Sequence, residues 1–308
     1  MSGFKNLTVP GDLQYLYDGS LEGFFCCVYE SVYSGVLPQD ILPEWEAEPC
    51  LLRQQRIPTD PGRAERVRRS IPARISNEAM QLVGHAFFSQ LAGREIRLLR
   101  FLLLGYERGR GVTGLIGHPD VAALLEAERH LLREVQLLLG FVRFTERGGV
   151  LTATISPKNF VLPFMAKHFA GRYPQEAFVI FDEVHGAALF HQKRQLRILP
   201  VEELAFPAPT PEEAAWQALW KRFYQAVSIE HRYNPKCRMG HMPKRYWQNM
   251  FELQDLLQGG SDRPAGLAER RAVPALEGAR PGLGPAVQGA QGHIEAEPAA
   301  PGQAPEDR

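Results

Sequence analysis

Apolar residues recur every three to four positions through most of the first 140 residues and every second position between about 141 and 200, which predicts helices followed by a sheet. The opening run "LQYLY" reads as a short aromatic strand leading into an Asp-Gly turn, with Ser20 placed as a helix N-cap. Leu21, Phe24, Phe25, Val28 and Val32 then repeat at helical spacing. "EWEAEPCLLRQQRIPTDPGR" is punctuated by proline and reads as irregular. Helices are expected near 60–72, 76–91 and 93–108, the last apolar nearly all round between Leu98 and Leu104, as in a helix buried in a core. "HPDVAALLEAERHLLREVQLLLG" has proline at its first helical position and Gly140 at its end, with Val121, Leu124, Leu125, Leu132, Val135 and Leu139 as its buried stripe.

Beyond it "FVRFTE", "VLTATIS", "AFVIFDE", "AALFHQ" and "LRILP" alternate as strands do, interrupted by one helix, "LPFMAKHFAGRYP". Two helices close the pattern, "TPEEAAWQALWKRFYQAVSIEHR" and "MPKRYWQNMFELQDLL". The sum is an α+β domain over 1–258, with a helical part at about 60–140, a mainly antiparallel sheet at about 141–200 and closing helices at about 210–257. From 259 to 308 the periodicity stops: Gly, Pro and Ala supply 27 of 50 residues and Phe, Tyr and Trp are absent, so this tail is expected to be disordered.

Composition narrows the chemistry. With 35 Lys and Arg against 35 Asp and Glu the formal net charge is +0, so no whole-molecule field draws the protein to a polyanion and any such site is a local patch. Four cysteines and an N-terminus without a cationic-then-apolar plan predict reduced thiols and a cytoplasmic location. "IRLLRFLLLGY" is about half the roughly 20 residues a membrane-spanning helix needs, so no membrane association is expected. No GxxxxGK[ST], HExxH or GxSxG spacing occurs. Cys26 and Cys27, adjacent on a helix, diverge by about 100 degrees and read as core thiols. Cys237 and His241 at C-x3-H spacing lack two companion ligands, so neither a metal nor a cofactor is expected.

What remains is cationic. Between Lys221 and Trp247 stand seven Lys and Arg residues and one acid, Glu230, interleaved with Phe223, Tyr224, Tyr233, Tyr246 and Trp247. Cations neutralise phosphates and aromatic faces stack on unpaired bases, a mixture suited to single-stranded or distorted nucleic acid. The competing reading is a solvated basic face, with Trp216, Leu219, Trp220, Phe223 and Val227 turned into the core on one helical face. A second basic segment runs from Arg53 to Arg74 and forms one groove with the first only if both lie on one side of the fold. Smaller constellations are His168 with Arg172, four apart on a helix; Glu134 with Arg143, either a buried pair or a catalytic acid; and Asp182 with Glu183 at a strand end. Glu134, His168 and Asp182 are the candidate acids and bases.

"YLYDGSLEGFFCCVYE", "LLGFVRF", "PFMAKHFAGRYP" and "NPKCRMGHMPKRYW" together resemble a bacterial family labelled as probable DNA metabolism protein, a domain of unknown function, over about Gln14 to Glu252. The resemblance carries over Tyr17, Asp18, Gly19, Glu22, Glu134, Arg143, His168, Arg172 and the run Met242 to Trp247 as motif positions. It implies a radical-SAM partner encoded nearby and kinship with domains fused to uracil-DNA glycosylases. The chain departs from the family at Gln136 and Leu137, where a histidine and a basic residue are common.

The expectation is therefore an accessory protein of DNA metabolism or repair that binds single-stranded or damaged DNA and serves a radical-SAM partner. Arg172, Lys236, Arg238, Lys244 and Arg245 are expected on phosphate, with Tyr246 or Trp247 as a stacking ring. Two alternatives stay open: an enzyme acting on DNA in a glycosylase-like or hydrolytic way, and a protein-binding scaffold without affinity for DNA.

Overall fold

The computed structural model describes residues 12–227 and 234–257, all within the first of two units, Met1–Pro264. The tail expected to be disordered lies outside the described residues, as do Glu230, His231 and Tyr233.

Leu13–Tyr17 (β1) is buried at every position, because it is the central strand of a parallel sheet rather than an alternating edge. Asp40–Pro43 (β2) and Arg53–Arg56 (β3) flank it in the order β2-β1-β3, with Tyr15 opposite both Ile41 and Gln55. The helix Leu21–Ser34 (α1) begins where Ser20 Oγ accepts from Gly23 N at 2.9 Å and ends at Gly35 in the left-handed region. The segment read as irregular thus contains a strand. Arg-Gln-Gln-Arg shows no apolar alternation because β3 is an edge held by backbone bonds, with three of its four side chains exposed.

Pro61–Arg74 (α2), Asn77–Phe87 (α3) and Arg94–Arg108 (α4) follow near their expected places. Gly109–Gly114 spells G-x-G-x-x-G but extends α4 as a 3-10 turn. It does not link a strand to a helix, the context that a dinucleotide-binding loop requires.

Pro119–Phe141 (α5) is the spine of the molecule. Val121 and Leu124 enter a first core with β1, α1, α2, α3 and α4, whereas Leu131, Val135 and Leu138 enter a second. Leu132, expected in the stripe, is 41% exposed; the helical period places Leu131 inward instead.

The second core is built on Thr145–Arg147 (β4), Val150–Ile155 (β5), Ala177–Asp182 (β6), Ala187–Gln192 (β7) and Gln195–Pro200 (β8), in sequential order. Leu162–Arg172 (α6) connects β5 to its parallel neighbour β6, and the other three pairings are antiparallel. The fold class is α+β, with a mixed, mainly antiparallel sheet joined to a small parallel one.

Two expectations for the closing helices fail. Pro211–Ala226 (α7) has no buried residue, and the face of Trp216, Leu219, Trp220, Phe223 and Val227 is exposed rather than core. "MPKRYWQNMFELQDLL" is not one helix: after Pro235–His241 (α8) come a 3-10 turn, Lys244–Asn249, and the four-residue helix Gln254–Leu257 (α9). Pro243 forces Met242 out of the helical region, at φ −129 and ψ 82, so the chain breaks there. No helix among the described residues is long and apolar enough to cross a membrane.

Candidate functional site

Glu134 lies on the inward side of α5 between Leu131 and Leu138 and is 3% exposed. The loop after β5 folds over it. Lys158 N and Asn159 N donate to its two oxygens at 3.0 and 2.8 Å, and Asn159 Nδ2 donates at 2.6 Å. From the far end of the chain Arg245 Nη2 donates at 2.9 Å and Tyr246 Oη at 3.0 Å. A carboxylate offers about four lone-pair sites, so five donors saturate it. A buried charge is tolerated when paired and hydrogen-bonded in this way. Burial pushes the Tyr246 hydroxyl up to about 12, with the Glu134 charge adding to it and the Arg245 hydrogen bond opposing.

Over this network opens a cleft of about 550 Å³. One wall is α5, through Ala123, Glu126, Ala127, His130, Glu134 and Leu137, the i, i+3, i+4 spacing of a single helical face. Ser89, Gln90 and Leu91 form the opposite rim, and Lys158, Asn159, Gly240, Pro243 and Arg245 complete it. Asn159 Oδ1 accepts from Gln90 N at 2.9 Å and Phe160 N donates to Phe88 O at 3.0 Å, which ties the two rim loops together.

Three cations from three chain segments face this space: Arg133, Lys158 and Arg245. Arg133 and the Lys158 ammonium have no side-chain partner among the described residues, and Glu126 is turned toward Arg129 and His130 at 3.7 and 3.9 Å. Leu91, Leu137 and the two alanines make the rest of the wall apolar. The arrangement can hold an anion with an apolar body attached.

Of the residues singled out in the sequence, Glu134, Arg245 and Tyr246 meet. A Glu134 and Arg143 pair, one of the two readings of these residues, does not form. Residues 141–144 do not enter β4, and Arg143 binds Glu252 through Nε at 2.9 Å and Nη2 at 2.7 Å. Tyr246 and Trp247, expected as stacking rings, are 2% and 3% exposed. Trp247 Nε1 donates to Met242 O, and Arg238 and Lys244 both lie over its ring, at 5.0 and 5.7 Å from the centroid, so it holds these cations and, at 3% exposed, does not present a face to a base. Lys236 and Lys244 are exposed.

His168 and Arg172 are exposed on α6 and do not line the cleft; Arg172 lies over the Tyr173 ring. Asp182 is fully buried and accepts from Val184 N and His185 N at 3.1 Å and from the His185 ring at 2.7 Å, which closes the turn after β6.

The N-terminal motif residues hold the corner between β1 and α1. Tyr17 Oη donates to Glu95 at 3.1 Å, and burial, reinforced by the Glu95 charge, raises its hydroxyl far above the ordinary range. Partial burial tends to raise Asp18, yet hydrogen bonds from Ser20 and Thr59 outweigh it and hold the carboxyl below its usual value. Gly19 has φ 72, and a Cβ there would lie 1.8 Å from the Trp45 ring. Glu22 is exposed in the first turn of α1.

The Arg53–Arg74 cations are largely paired locally, Arg56 with Glu44, Arg63 with Glu30, and Arg68 and Arg69 with Glu65. Their helix packs in the first core, whereas Tyr246 and Trp247 anchor the other basic segment in the second.

Sequence reasoning missed Arg133, Lys158 and Asn159. A second face of α5 with small residues at 123 and 127 and polar ones at 126, 130 and 134 was the available signal.

Among the described residues no group of three or more His, Cys, Asp or Glu side chains is placed to hold a metal ion. Residues 92–252, just over half of the chain, match the model of a family described as a domain of unknown function, DUF4130. No curated protein and no solved structure matches the chain. The matched segment begins just before α4, contains every cationic wall of the cleft and leaves out the parallel sheet.

Proposed function

The chain belongs to the DUF4130 family of domains of unknown function, and on that premise we propose that it is an accessory DNA-metabolism protein whose cleft receives single-stranded or damaged DNA. The observation that carries this reading is the convergence of Arg133, Lys158 and Arg245 on one open, partly apolar cleft in a protein of zero formal net charge. Cations contributed by three separate segments suit a phosphate backbone, and Leu91 and Leu137 offer a surface for an unstacked base. Lys236, Arg238 and Lys244 precede Arg245 in the chain and add cationic charge to the same segment, without lining the cleft themselves. A duplex base is stacked and paired, which favours a strand already open or a lesion that is easily extruded.

Glu134 serves as an anchor in this reading. With five donors on its oxygens it positions Arg245 and Tyr246 and is not free to take a proton from a substrate. The protein presents the strand to a radical-SAM enzyme, which supplies the cofactor chemistry.

Titration of a fluorescent single-stranded oligonucleotide at several salt concentrations tests the reading. Lys158→Ala should weaken binding and reduce the slope of log K against log salt by about 0.7, the value for one phosphate contact on a single strand. An unchanged slope and affinity would remove the cleft from consideration.

A further inference from the structure

The helix α7 carries its apolar face outward. Trp216 is 56% exposed, Leu219 44%, Trp220 39%, Phe223 53% and Val227 55%, while Glu213, Gln217, Lys221 and Tyr224 turn toward the domain. Gln217 Nε2 reaches Thr145 Oγ1 at 3.2 Å, Lys221 Nζ reaches Asp255 at 3.2 Å and the Arg143 guanidinium lies over the Trp220 ring at 5.7 Å, so polar and cationic contacts tie the helix to the domain, and most of the stripe stays exposed among the described residues. This inverts the usual amphipathic arrangement, in which the apolar stripe faces the core. A contiguous apolar patch of this kind on a protein surface marks an interaction site.

We propose that α7 pairs antiparallel with α7 of a second copy of this chain about a two-fold axis near Leu219. Charge along the helix favours this occupant. The acids Glu212 and Glu213 stand at the N-terminal end and Arg222 near the C-terminal end, and both Glu212 and Arg222 border the stripe on the same side. In an antiparallel pair centred on Leu219, Arg222 of each copy falls within about one helical turn of Glu212 of the other. Leu219 meets its own counterpart on the axis, and Trp216 enters between Leu219 and Phe223 of the second copy. Such an isologous contact uses one patch twice and closes on itself.

The area is sufficient. Large aromatic side chains present ~150–250 Å² each. At the exposures above, the five residues leave on the order of 500 Å² per copy. Two copies then bury about 1,000 Å², the size at which a specific interface becomes credible.

Sedimentation equilibrium of the full chain at micromolar concentrations reads the outcome. The wild type should be a dimer, and Trp216→Glu, at a solvent-exposed position, should raise the dissociation constant about thirtyfold or more with the thermal unfolding of the monomer unchanged. Glu212→Arg and Arg222→Glu should each weaken the dimer, and the two together should restore it. Leu219→Cys, in a chain lacking the exposed Cys50 and Cys237, should form a disulfide between copies on mild oxidation. A monomeric wild type would overturn the proposal, as would a dimer indifferent to Trp216→Glu or a charge swap that fails to rescue.

Discussion

In the first core Tyr17 donates to Glu95 at 3.1 Å while Arg94 approaches the same oxygen at 3.0 Å. In the second core Tyr246 donates to Glu134 at 3.0 Å while Arg245 approaches the same oxygen at 2.9 Å. The two clusters use the same three residue types in nearly the same geometry, yet they end differently. Arg94 spends a second nitrogen on Ser89 O at 2.8 Å and lies over the Phe87 ring, so its guanidinium is turned to protein groups and does not line the cleft, although 28% of the side chain is exposed. Arg245 lies over Tyr246 and fronts the cleft. Glu134 also takes three donors from the loop after β5, which Glu95 has no counterpart for. A buried tyrosine-glutamate-arginine cluster thus closes a core or aims a cation, depending on what the far side of the guanidinium meets.

Truncating the two glutamates should separate the clusters most widely. Glu134→Ala strands an arginine, a tyrosine and an asparagine at once and is expected to cost about 3–5 kcal/mol in urea denaturation. Glu95→Ala, with two donors to lose, should cost about 1–3 kcal/mol. A reversed order would mean that donor count does not rank these sites. The arginines should then differ in kind. Arg245→Ala is expected to weaken oligonucleotide binding about tenfold, the equivalent of one charge-assisted hydrogen bond of ~1.5 kcal/mol. Arg94→Ala should lower stability and, acting on the cleft only through Ser89 O, cost much less affinity than Arg245→Ala. Equal losses of affinity in both variants would erase the distinction.

The tyrosines should make the clusters look alike again. Tyr246 is raised to about 12 from an ordinary value of 10.0. The unfolded chain therefore loses this proton first as pH rises. The stability it contributes is complete below pH 10 and is lost between pH 10 and about 12. Tyr246→Phe should flatten the fall of the unfolding midpoint across that window, and Tyr17→Phe should do the same, since its hydroxyl is raised by the same causes. Unfolding midpoints measured from pH 9 to 12 check both. The smallest effect is expected at Arg172, exposed on α6 and outside the cleft. Arg172→Ala should leave binding within experimental error, and a loss as large as that of Arg245→Ala would move the site to α6.

Elements with a strong apolar period were legible in the sequence, because their burial writes the period: α2, α3, α4, α5 and β5 to β7 fall close to where the pattern places them, and the edge strand β8 does so too although none of its residues is buried. The edge strand β3 was not, since backbone pairing to β1 asks nothing of Arg53 to Arg56 as side chains. Helix α7 misled for the opposite reason: its stripe has the period of a core helix but no core beneath it. At the cleft, the basic-aromatic run pointed to Arg245 and misplaced the role of its rings. Tyr246 and Trp247 are buried supports for cations, and aromatic residues beside lysine and arginine give no sign of which way they face. Arg133 and Lys158 were illegible because they converge only after α5 and the loop following β5 pack together.

The central claim is that the cleft, and not basic charge in general, takes the strand. Two double variants remove equal charge from two places: Arg133→Ala with Lys158→Ala in the cleft, and Arg66→Ala with Arg69→Ala on α2. Salt-dependent anisotropy of a single-stranded oligonucleotide should show the cleft variant losing affinity and about 1.4 of salt slope, two contacts at about 0.7 each, while the α2 variant matches the wild type. Equal losses in both variants, or a loss confined to the α2 pair, would contradict the account.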